Sequence, residues 1–453
     1  MSALATAATL LSSCGGAVVG APVAHAGAPA GLLATGPLQA LGWRSKIRHV
    51  VIIVQENRSF NNLFYGYPGA ATATYGYDNL NHKIKIEPVD IATNWQIRHD
   101  AKAFFQACNG AGKTPGTKCR MNGFNLEWVG CGGASQPPCP IQHPQYSYVP
   151  HTETQPYFAM AKQYVLADHM FPSNLDTSSF VSHQYIIAGK AESAVDYPAN
   201  SWGCPGGPTD KVYMISQLRK YPDGSEVPCW NPTTLGDELD TARLSWGYYA
   251  VAVAQGGIWS AYQAIDHIYN GPDWSNNVFF PPSKFFTDLK NGGLRAVTWI
   301  TPTFANSDHP SNNSKTGPAW VASLVNAIGE SPDWSSTAIF VFWDENGGLY
   351  DPVPPPYADY DGLGIRVPLL IISPYAKTGY VSHVQYEHGS MLKFIEDVFR
   401  LPRMAASDTR ANSPEADSFN FYQAPRKFVP FRALYNQRYF MNQPADLRPP
   451  DTN

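Results

Sequence analysis

Four acidic or amide side chains follow two apolar segments that lie far apart in the chain. Glu56 and Asn57 come just after one apolar, β-branched run, and Asp344 and Glu345 come directly after another. Ligands of α/β sheets bind beyond the carboxyl ends of buried strands, and carboxylate and amide oxygens suit a hard divalent cation. We therefore predict one divalent metal ion, of unknown identity, near these four residues. A solvated turn is the alternative for the acid pair.

A pair of hydroxyl groups, Ser178 and Ser179, precedes a helix predicted from Phe180 to Gly189. Hydroxyls in such a place are first of all helix caps. The same place offers backbone N–H groups and the positive end of the helix dipole to a phosphate, and a hydroxyl to attack it. Because a neutral serine is a poor nucleophile, it needs a base or a metal ion. The predicted cation site would supply one.

Three histidines lie close to the ends of predicted segments. His309 follows Asp308 in the loop after a predicted strand, His388 precedes a predicted helix, and His99 lies in a long polar insertion. An imidazole can carry charge or transfer a proton near neutral pH. A surface position is the alternative for His99, and a hydrogen bond to a carbonyl group is the alternative for His388.

Apolar runs of strand length alternate with helical periodicity, which predicts an α/β fold. The predicted strands cover 47–54, 245–251, 295–300, 338–343 and 367–374, and the predicted helices 156–164, 180–189, 317–330 and 390–399. With 453 residues in the chain, we expect one large domain over 45–405, with loop insertions at 67–150 and 191–232. Residues 406–453 are polar and proline-rich, which predicts a tail packed on that domain.

The overall charge argues against a nucleic-acid partner. The chain has 36 acidic and 32 basic residues, a net charge of −4 and a pI of about 6.3, which leaves no basic surface of the kind that nucleic acid binds. Charged residues make up 15% and aromatic residues 13%. This composition is typical of a loop-rich extracytoplasmic enzyme rather than of a disordered or coiled-coil chain.

The first 36 residues predict a leader. Residues 3–36 contain no acidic or basic side chain, and Ala24-His25-Ala26 matches the pattern of a signal-peptide cleavage site. We predict a secreted or periplasmic protein. Leu11-Ser12-Ser13-Cys14 resembles a lipoprotein box, so a lipid anchor at Cys14 is a competing interpretation, and a plain linker is a third.

Seven cysteines become six once Cys14 leaves with the leader. An even number together with an export signal favours disulfides over metal thiolates, with fifteen pairings open to six cysteines. We predict that near neighbours pair, and reduced cysteines are the alternative. The predicted pairs are Cys108 with Cys119, Cys131 with Cys139, and Cys204 with Cys229.

These segments together resemble the phosphoesterase family of non-specific phospholipases C and related acid phosphatases, over roughly residues 45–400. The blocks that carry the resemblance are His49-Val50-Val51 to Glu56-Asn57-Arg58-Ser59-Phe60, His99-Asp100 with Met121-Asn122-Gly123-Phe124, Ser178-Ser179 to Gly189, Asp308-His309-Pro310-Ser311, Asp344-Glu345-Asn346-Gly347-Gly348 with Val353-Pro354-Pro355-Pro356, and Tyr386-Glu387-His388 to Phe394-Ile395-Glu396.

The resemblance implies the fold and the roles of the site residues. It implies an alkaline-phosphatase-like, mostly parallel central sheet sandwiched by helices, with the cysteine-bearing loops as insertions. Ser179 would be both nucleophile and metal ligand, while His99 and His309 would face the phosphate; His388 matches a family histidine of less certain role. The implied metal ligands are Glu56, Asn57, Ser179, Asp344 and Glu345.

The chain departs from the family pattern at several positions. Asn61 and Asn122 stand where the family usually has aspartate, and Pro352 stands where histidine is common. The usual Thr/Ser-x-Pro-Asn reads Ser179-Phe180-Val181-Ser182, which leaves Ser178 as an alternative nucleophile. These departures concern the substrate and the nucleophile more than the class of reaction.

We therefore predict a metal-dependent phosphoric-ester hydrolase of the phospholipase C type that acts through a phosphoseryl intermediate. Aromatic residues in the two loop insertions favour a phospholipid head group at a membrane surface. The alternatives are an acid phosphatase that acts on soluble phosphomonoesters and a catalytically silent secreted binding protein.

Overall fold

The computed structural model describes residues 42–176, 178–198, 202–251 and 258–446. The predicted leader and Cys14 lie outside these residues. The strands are β1 (His49–Gln55), β2 (Tyr75–Tyr77), β3 (Lys83–Lys85), β4 (Glu87–Pro88), β5 (Ser147–Tyr148), β6 (Val165–Phe171), β7 (Ala194–Val195), β8 (Val212–Met214), β9 (Ser225–Glu226), β10 (Trp246–Tyr249), β11 (Val278–Phe279), β12 (Val297–Ile300), β13 (Thr337–Trp343), β14 (Val367–Ile372), β15 (Tyr380–Ser382) and β16 (Tyr386–Glu387).

Helices connect most of these strands. The α-helices span Phe60–Phe64, Ala101–Cys108, Gln155–Gln163, Ser179–Ala188, Leu235–Thr241, Asp266–Tyr269, Pro272–Asn277, Lys284–Gly292, Gly317–Gly329, His388–Phe399, Ala406–Arg410, Glu415–Ser418 and Gln437–Met441. Short 3-10 helices span Arg44–Lys46, Phe124–Leu126, Ala261–Ala264, Phe304–Asn306 and Pro332–Ser336. The helices predicted from sequence are confirmed to within about two residues at each end, the usual uncertainty of a helix boundary.

A mostly parallel central sheet organises the described part of the chain. Its strand order is β11-β10-β12-β1-β13-β14-β6-β15, and β16 also pairs with β6. Only β14 runs antiparallel to its two neighbours among the pairs of this sheet. Every residue of β13 is buried, which requires cover on both faces because side chains alternate across a strand. The predicted α/β fold is confirmed.

The register between β1 and β13 explains why acidic residues from distant parts of the sequence meet. The two strands run parallel, and Gln55 at the end of β1 pairs with Trp343 at the end of β13. The next residues, Glu56 and Asp344, are therefore neighbours at the carboxyl edge of the sheet. The helix Ser179–Ala188, which packs against the helix His388–Phe399, follows β6 and is buried at every position.

The 67–150 insertion forms a folded layer with its own small core. The hairpin β2–β3 packs there with the helix Ala101–Cys108, and Phe124, Tyr146 and Tyr350 belong to the same buried cluster. Three disulfides join Cys108 to Cys119, Cys131 to Cys139, and Cys204 to Cys229. The predicted local pairing is confirmed, and so is the description of these loops as disulfide-bearing insertions.

The segment after 405 contacts the remainder of the described chain. Arg410 donates hydrogen bonds to Glu387, and Phe440 packs on Trp320 with ring centroids 5.1 Å apart. The boundary at 405 between domain and tail stays a prediction. Within the described residues, no helix has both the length and the apolar character needed to cross a membrane.

A buried ion pair links two parts of the connection between β13 and β14. The Nε and Nη2 groups of Arg366 donate to Asp351 Oδ1 at 2.9 Å and Oδ2 at 3.0 Å, and both side chains are fully buried. Because Asp351→Asn would leave the guanidinium buried without its counter-charge, we expect it to lower the free energy of unfolding by about 3–5 kcal/mol. Urea denaturation would measure this loss. Lys220→Gln, which breaks an exposed pair with Asp223, should change stability far less, and an equal loss in both variants would contradict the prediction.

Candidate active site

Glu56, Asn57 and Asp344 meet at the carboxyl edge of the sheet, as predicted from sequence. All three are fully buried. The backbone N–H of Asn57 donates to Asp344 Oδ1 at 2.9 Å, and Asn57 has a left-handed backbone with φ of 61°. Left-handed conformations are uncommon outside glycine, although asparagine tolerates them best. Asn57 is not the cap of the following helix, because the Ser59 side chain accepts from Asn62 N instead.

The Asn57 side chain connects the predicted nucleophile to a predicted histidine. Ser179 Oγ donates to Asn57 Oδ1 at 3.3 Å, and Asn57 Nδ2 lies 3.1 Å from His99 Nε2. His99 Nδ1 lies 2.6 Å from the carbonyl oxygen of Ile97, so Nδ1 carries the proton and Nε2 accepts from the amide. This arrangement orients the amide oxygen of Asn57 toward Ser179.

Ser178 and Ser179 face different partners. Ser178 Oγ donates to the backbone carbonyl of Asp196 at 2.7 Å, whereas Ser179 faces Asn57. The Ser178 side chain, although at the N-cap position, makes no capping hydrogen bond to the helix. Of the two hydroxyls, Ser179 is the one next to the acidic cluster.

The Glu345 carboxylate contacts the Gly347 backbone and lies near His99. Its Oε2 accepts from Gly347 N at 2.6 Å, and its Oε1 is 4.0 Å from His99 Nε2. Gly347 has a φ of 62°, and a Cβ atom there would lie 2.2 Å from the Asn57 carbonyl oxygen. A side chain at position 347 would thus push the Glu345 loop away from Asn57, so the close approach of these two segments requires glycine.

His183 is a site residue that the sequence analysis missed. Its Nε2 is 3.1 Å from Glu56 Oε1 and 4.0 Å from Asp344 Oδ2, and the ring is fully buried. It follows Ser179 by four residues and therefore lies on the same side of the helix. Burial lowers its pKa to about 4, although the charge of Asp344 opposes this shift. The spacing Ser179-x-x-x-His183 was the available signal.

The donor set of this cluster fits a divalent cation. One ligand atom each from Glu56, His183 and Asp344 lies within 4.8 Å of the others, and Asp344 Oδ2 is buried without a hydrogen-bond partner among the described residues. Burial raises the pKa of Asp344 well above its usual value, and the nearby charge of Glu56 raises it further. Two adjacent buried carboxylates are costly unless a cation neutralises them.

The structure brings two of the three predicted histidines together. The rings of His99 and His309 are 5.6 Å apart between centroids, and both are buried. His309 Nδ1 faces the Pro310 carbonyl oxygen. His388 lies at the start of its helix, against Phe342 at 5.4 Å between ring centroids. Burial and, to a smaller extent, the nearby charge of His183 lower its pKa to about 3, so the uncharged form of His388 is favoured at neutral pH.

The residues that depart from the family pattern have structural partners. Asn61 Oδ1 accepts from Ala73 N at 2.8 Å, and Asn122 bonds to the side chains of Asn109 and Asn81. Asp351, which precedes Pro352, is paired with Arg366. These contacts hold loops together and involve none of the predicted metal ligands.

Two bacterial proteins are similar in sequence to most of this chain. Non-hemolytic phospholipase C of Burkholderia pseudomallei is 24% identical over 427 residues, covering 78% of this chain and 55% of the relative. Phospholipase C B of Mycobacterium tuberculosis is 25% identical over 457 residues, covering 86% and 80%. The chain therefore spans about half the length of the first relative and four-fifths of the second. A solved structure from Vibrio parahaemolyticus, a protein in the alkaline phosphatase superfamily, has a TM-score of 0.37 and 9% identity over 82% of this chain and 71% of that one.

The family is established from the sequence match. The model of the Phosphoesterase family matches residues 47–402, well over half of the 453 residues. The predicted resemblance to a phosphoesterase family is confirmed. By this match of its sequence, the chain belongs to the Phosphoesterase family.

Proposed function

We propose that the protein is a divalent-cation-dependent phosphoric-ester hydrolase that acts on phospholipids and uses Ser179 as its nucleophile. The observation that carries this proposal is the hydrogen bond from Ser179 to Asn57, whose backbone N–H in turn bonds to Asp344. These contacts connect a hydroxyl at the start of a helix to a buried acidic cluster. Together they form the arrangement that phosphoryl transfer to a serine needs.

Five residues would hold the cation: Glu56, Asn57, Ser179, Asp344 and Glu345, with the His183 imidazole next to Glu56. When bound, a divalent cation would lower the pKa of the Ser179 hydroxyl and offset the negative charge of the phosphoryl group. Asn57 orients its amide oxygen toward Ser179 because its amide nitrogen is engaged by His99. A second group, Asp168, His169 and His383, also has ligand atoms within 4.8 Å of each other, but it does not include Ser179.

The reaction would proceed in two displacements. Ser179 releases its hydroxyl proton to solvent and its Oγ attacks phosphorus to form a phosphoseryl ester, while the bond from phosphorus to the alcohol oxygen breaks. The departing oxygen takes a proton from His309 or His99, whose Nδ1 atoms both face backbone carbonyls and leave Nε2 as the proton-transfer atom. We assign this role to His309, because His99 Nε2 already accepts from Asn57. Water then attacks the phosphoseryl ester and gives a proton back to His309, while the bond from phosphorus to Ser179 Oγ breaks and Ser179 takes up a proton from solvent.

The choice of a phospholipid over a soluble phosphomonoester is supported by the relatives and by the protein's surface. The relatives named above are phospholipases C, and the insertions expose large apolar side chains that include Leu80 and Trp128. Three disulfides favour action outside the cytoplasm, in the periplasm or after secretion. An anchor at Cys14 would keep the enzyme at a membrane.

Hydrolysis of two soluble chromogenic esters tests the proposal. We expect release of p-nitrophenol from p-nitrophenylphosphorylcholine, loss of this activity after chelation, and its return when a divalent cation is added back. A clear preference for p-nitrophenyl phosphate would favour an acid phosphatase. No hydrolysis of either ester and no bound cation would support a silent binding protein. Activity that survives exhaustive chelation would overturn the dependence on a cation.

A further inference from the structure

The hairpin β2–β3 exposes an aromatic and basic outer face. Its antiparallel register sets Tyr75 opposite Lys85 and Tyr77 opposite Lys83. Tyr75 is 38% exposed and Tyr77 42% exposed, and both lysines are exposed. Lys83 Nζ lies 3.7 Å from the centroid of the Tyr75 ring. Aromatic and basic side chains therefore alternate across one exposed patch.

The inner face of the same hairpin is fixed to the protein. Gly76 and Ile84 pair across the strands and are buried. A Cβ atom on Gly76 would lie 2.7 Å from the Tyr146 ring and 2.8 Å from the Tyr350 ring, and Ile84 belongs to the cluster that includes Phe124. The packing of the inner face therefore fixes the position of the outer face.

The tip of the hairpin presents a leucine to solvent. Asp78 Oδ1 accepts from Leu80 N at 2.9 Å and from His82 N at 2.8 Å, which closes the turn. Leu80 is 67% exposed at this turn. Exposing this apolar side chain to water is unfavourable for the free energy of the protein.

A second exposed segment lies next to the tip. Asn79 and Asn125 exchange two hydrogen bonds, at 3.0 and 2.7 Å. Leu126, the next residue in the chain, is 45% exposed, and Trp128 is 49% exposed, whereas Glu127 between them is 5% exposed. The asparagine pair therefore brings Leu126 to the part of the surface that carries Leu80.

The second segment also adjoins the catalytic residues. Arg98 N donates to the Trp128 carbonyl at 2.9 Å, and Gly130 N donates to the Gln96 carbonyl at 2.8 Å. The exposed Trp128 is thus paired with the backbone that leads directly into His99. Exposed apolar side chains lie beside the segment that carries a site histidine.

We propose that the outer face of the hairpin β2–β3, together with Leu80, Leu126 and Trp128, docks the protein onto an anionic phospholipid bilayer. We call this the hairpin surface. Amphipathic tyrosine and tryptophan rings favour the membrane interface, and lysines bind anionic head groups while their stems lie along apolar surface. This inference rests on the proposed function, since it describes how the catalytic residues would reach a lipid substrate. A protein partner would need no anionic lipid.

Vesicle binding by three variants tests the hairpin surface. Tyr77→Ser with Leu80→Ser removes apolar contacts, and Lys83→Gln with Lys85→Gln removes charge. Leu434→Ser is the matched control, since Leu434 is 77% exposed on the C-terminal segment. Co-sedimentation with phosphatidylcholine vesicles, with and without phosphatidylglycerol, gives the partition coefficient. p-Nitrophenylphosphorylcholine hydrolysis reports on the catalytic centre.

We expect the apolar double variant to bind all vesicles about tenfold more weakly or worse, and the lysine double variant to lose about tenfold on phosphatidylglycerol vesicles alone. Both should hydrolyse the soluble ester like the wild type while losing activity on vesicle phospholipid; Leu434→Ser should change nothing. Wild-type binding that both double variants retain, or a wild type that binds no vesicle, would overturn the hairpin surface. Vesicle binding without hydrolysis of any ester would leave the surface standing and refute the proposed function.

Discussion

Replacing Ser179 with alanine is expected to lower kcat by about 10⁴-fold or more, because the variant has no oxygen to attack phosphorus. Ser179 is fully buried, and its hydroxyl bonds to the Asn57 side chain. The methyl group of alanine fits the same space, so the fold should survive. The measurement is steady-state hydrolysis of p-nitrophenylphosphorylcholine at saturating divalent cation.

Ser178→Ala is the matched control for this prediction. The two hydroxyls are adjacent in the chain and both buried, but the Ser178 hydroxyl donates to the Asp196 carbonyl rather than to Asn57. We expect this variant to lose about 1 kcal/mol of stability and to keep kcat within about threefold of the wild type. The reverse result, with Ser178→Ala inactive and Ser179→Ala active, would assign the nucleophile to Ser178.

Trapping the covalent intermediate gives a second readout that does not depend on turnover. Substrate mixed with wild-type enzyme and quenched in acid should leave a phosphoryl ester on the peptide that contains Ser179, detectable by mass spectrometry. The same treatment of Ser179→Ala should label no peptide. Labelling of a histidine instead would contradict a serine mechanism and would point to His99 or His309 as the nucleophile.

The acidic cluster could be predicted because parallel neighbouring strands end at the same edge. Two strongly apolar segments, each followed by acid or amide residues, suffice for this prediction once both are assigned to one sheet. The register that makes Glu56 and Asp344 neighbours depends on which strands pair, and the periodicity of one strand contains no information about its partner. The pairing of β1 with β13 therefore had to come from the structure.

The sequence analysis did not identify His183 as a site residue. It lies on a helix that is buried at every position, so no polar face distinguishes a site residue from a core residue. Its role follows from the direction of that helix relative to β1, which brings Nε2 to 3.1 Å from Glu56. The backbone conformation of Asn57 was likewise not visible in the sequence. The chain turns at Asn57 with positive φ, and the following helix begins at Phe60 with Ser59 as its cap.

Asp344→Asn is expected to abolish the effect of divalent cations on both activity and stability. The variant keeps the size of the side chain but removes a charge that the cation would bind, so we expect kcat to fall at least about 10³-fold and the cation-dependent rise in Tm to disappear. Thermal unfolding with and without chelator, and the content of bound metal after dialysis, would measure these changes.

Without a bound cation, Asp344→Asn should not lower the free energy of unfolding. Burial and the Glu56 charge raise the pKa of Asp344 well above its usual value. The folded metal-free protein therefore retains a proton that the unfolded chain releases, and its free energy of unfolding falls as pH rises above about 4. Asparagine has no such proton to lose. In chelator, Asp344→Asn should thus be at least as stable as the wild type near pH 7, with a weaker dependence on pH.

Asp351→Asn separates this effect from the general cost of changing a buried aspartate. Asp351 is equally buried but already has a counter-charge in Arg366, so its substitution should lower the free energy of unfolding by about 3–5 kcal/mol with or without chelator, and should leave the cation-dependent rise in Tm intact. The two aspartates thus differ in what neutralises them, a fixed guanidinium for one and an exchangeable cation for the other. If Asp344→Asn also destabilised the chelated protein and kept its response to cations, Asp344 would be a structural residue and the cation would have to bind elsewhere.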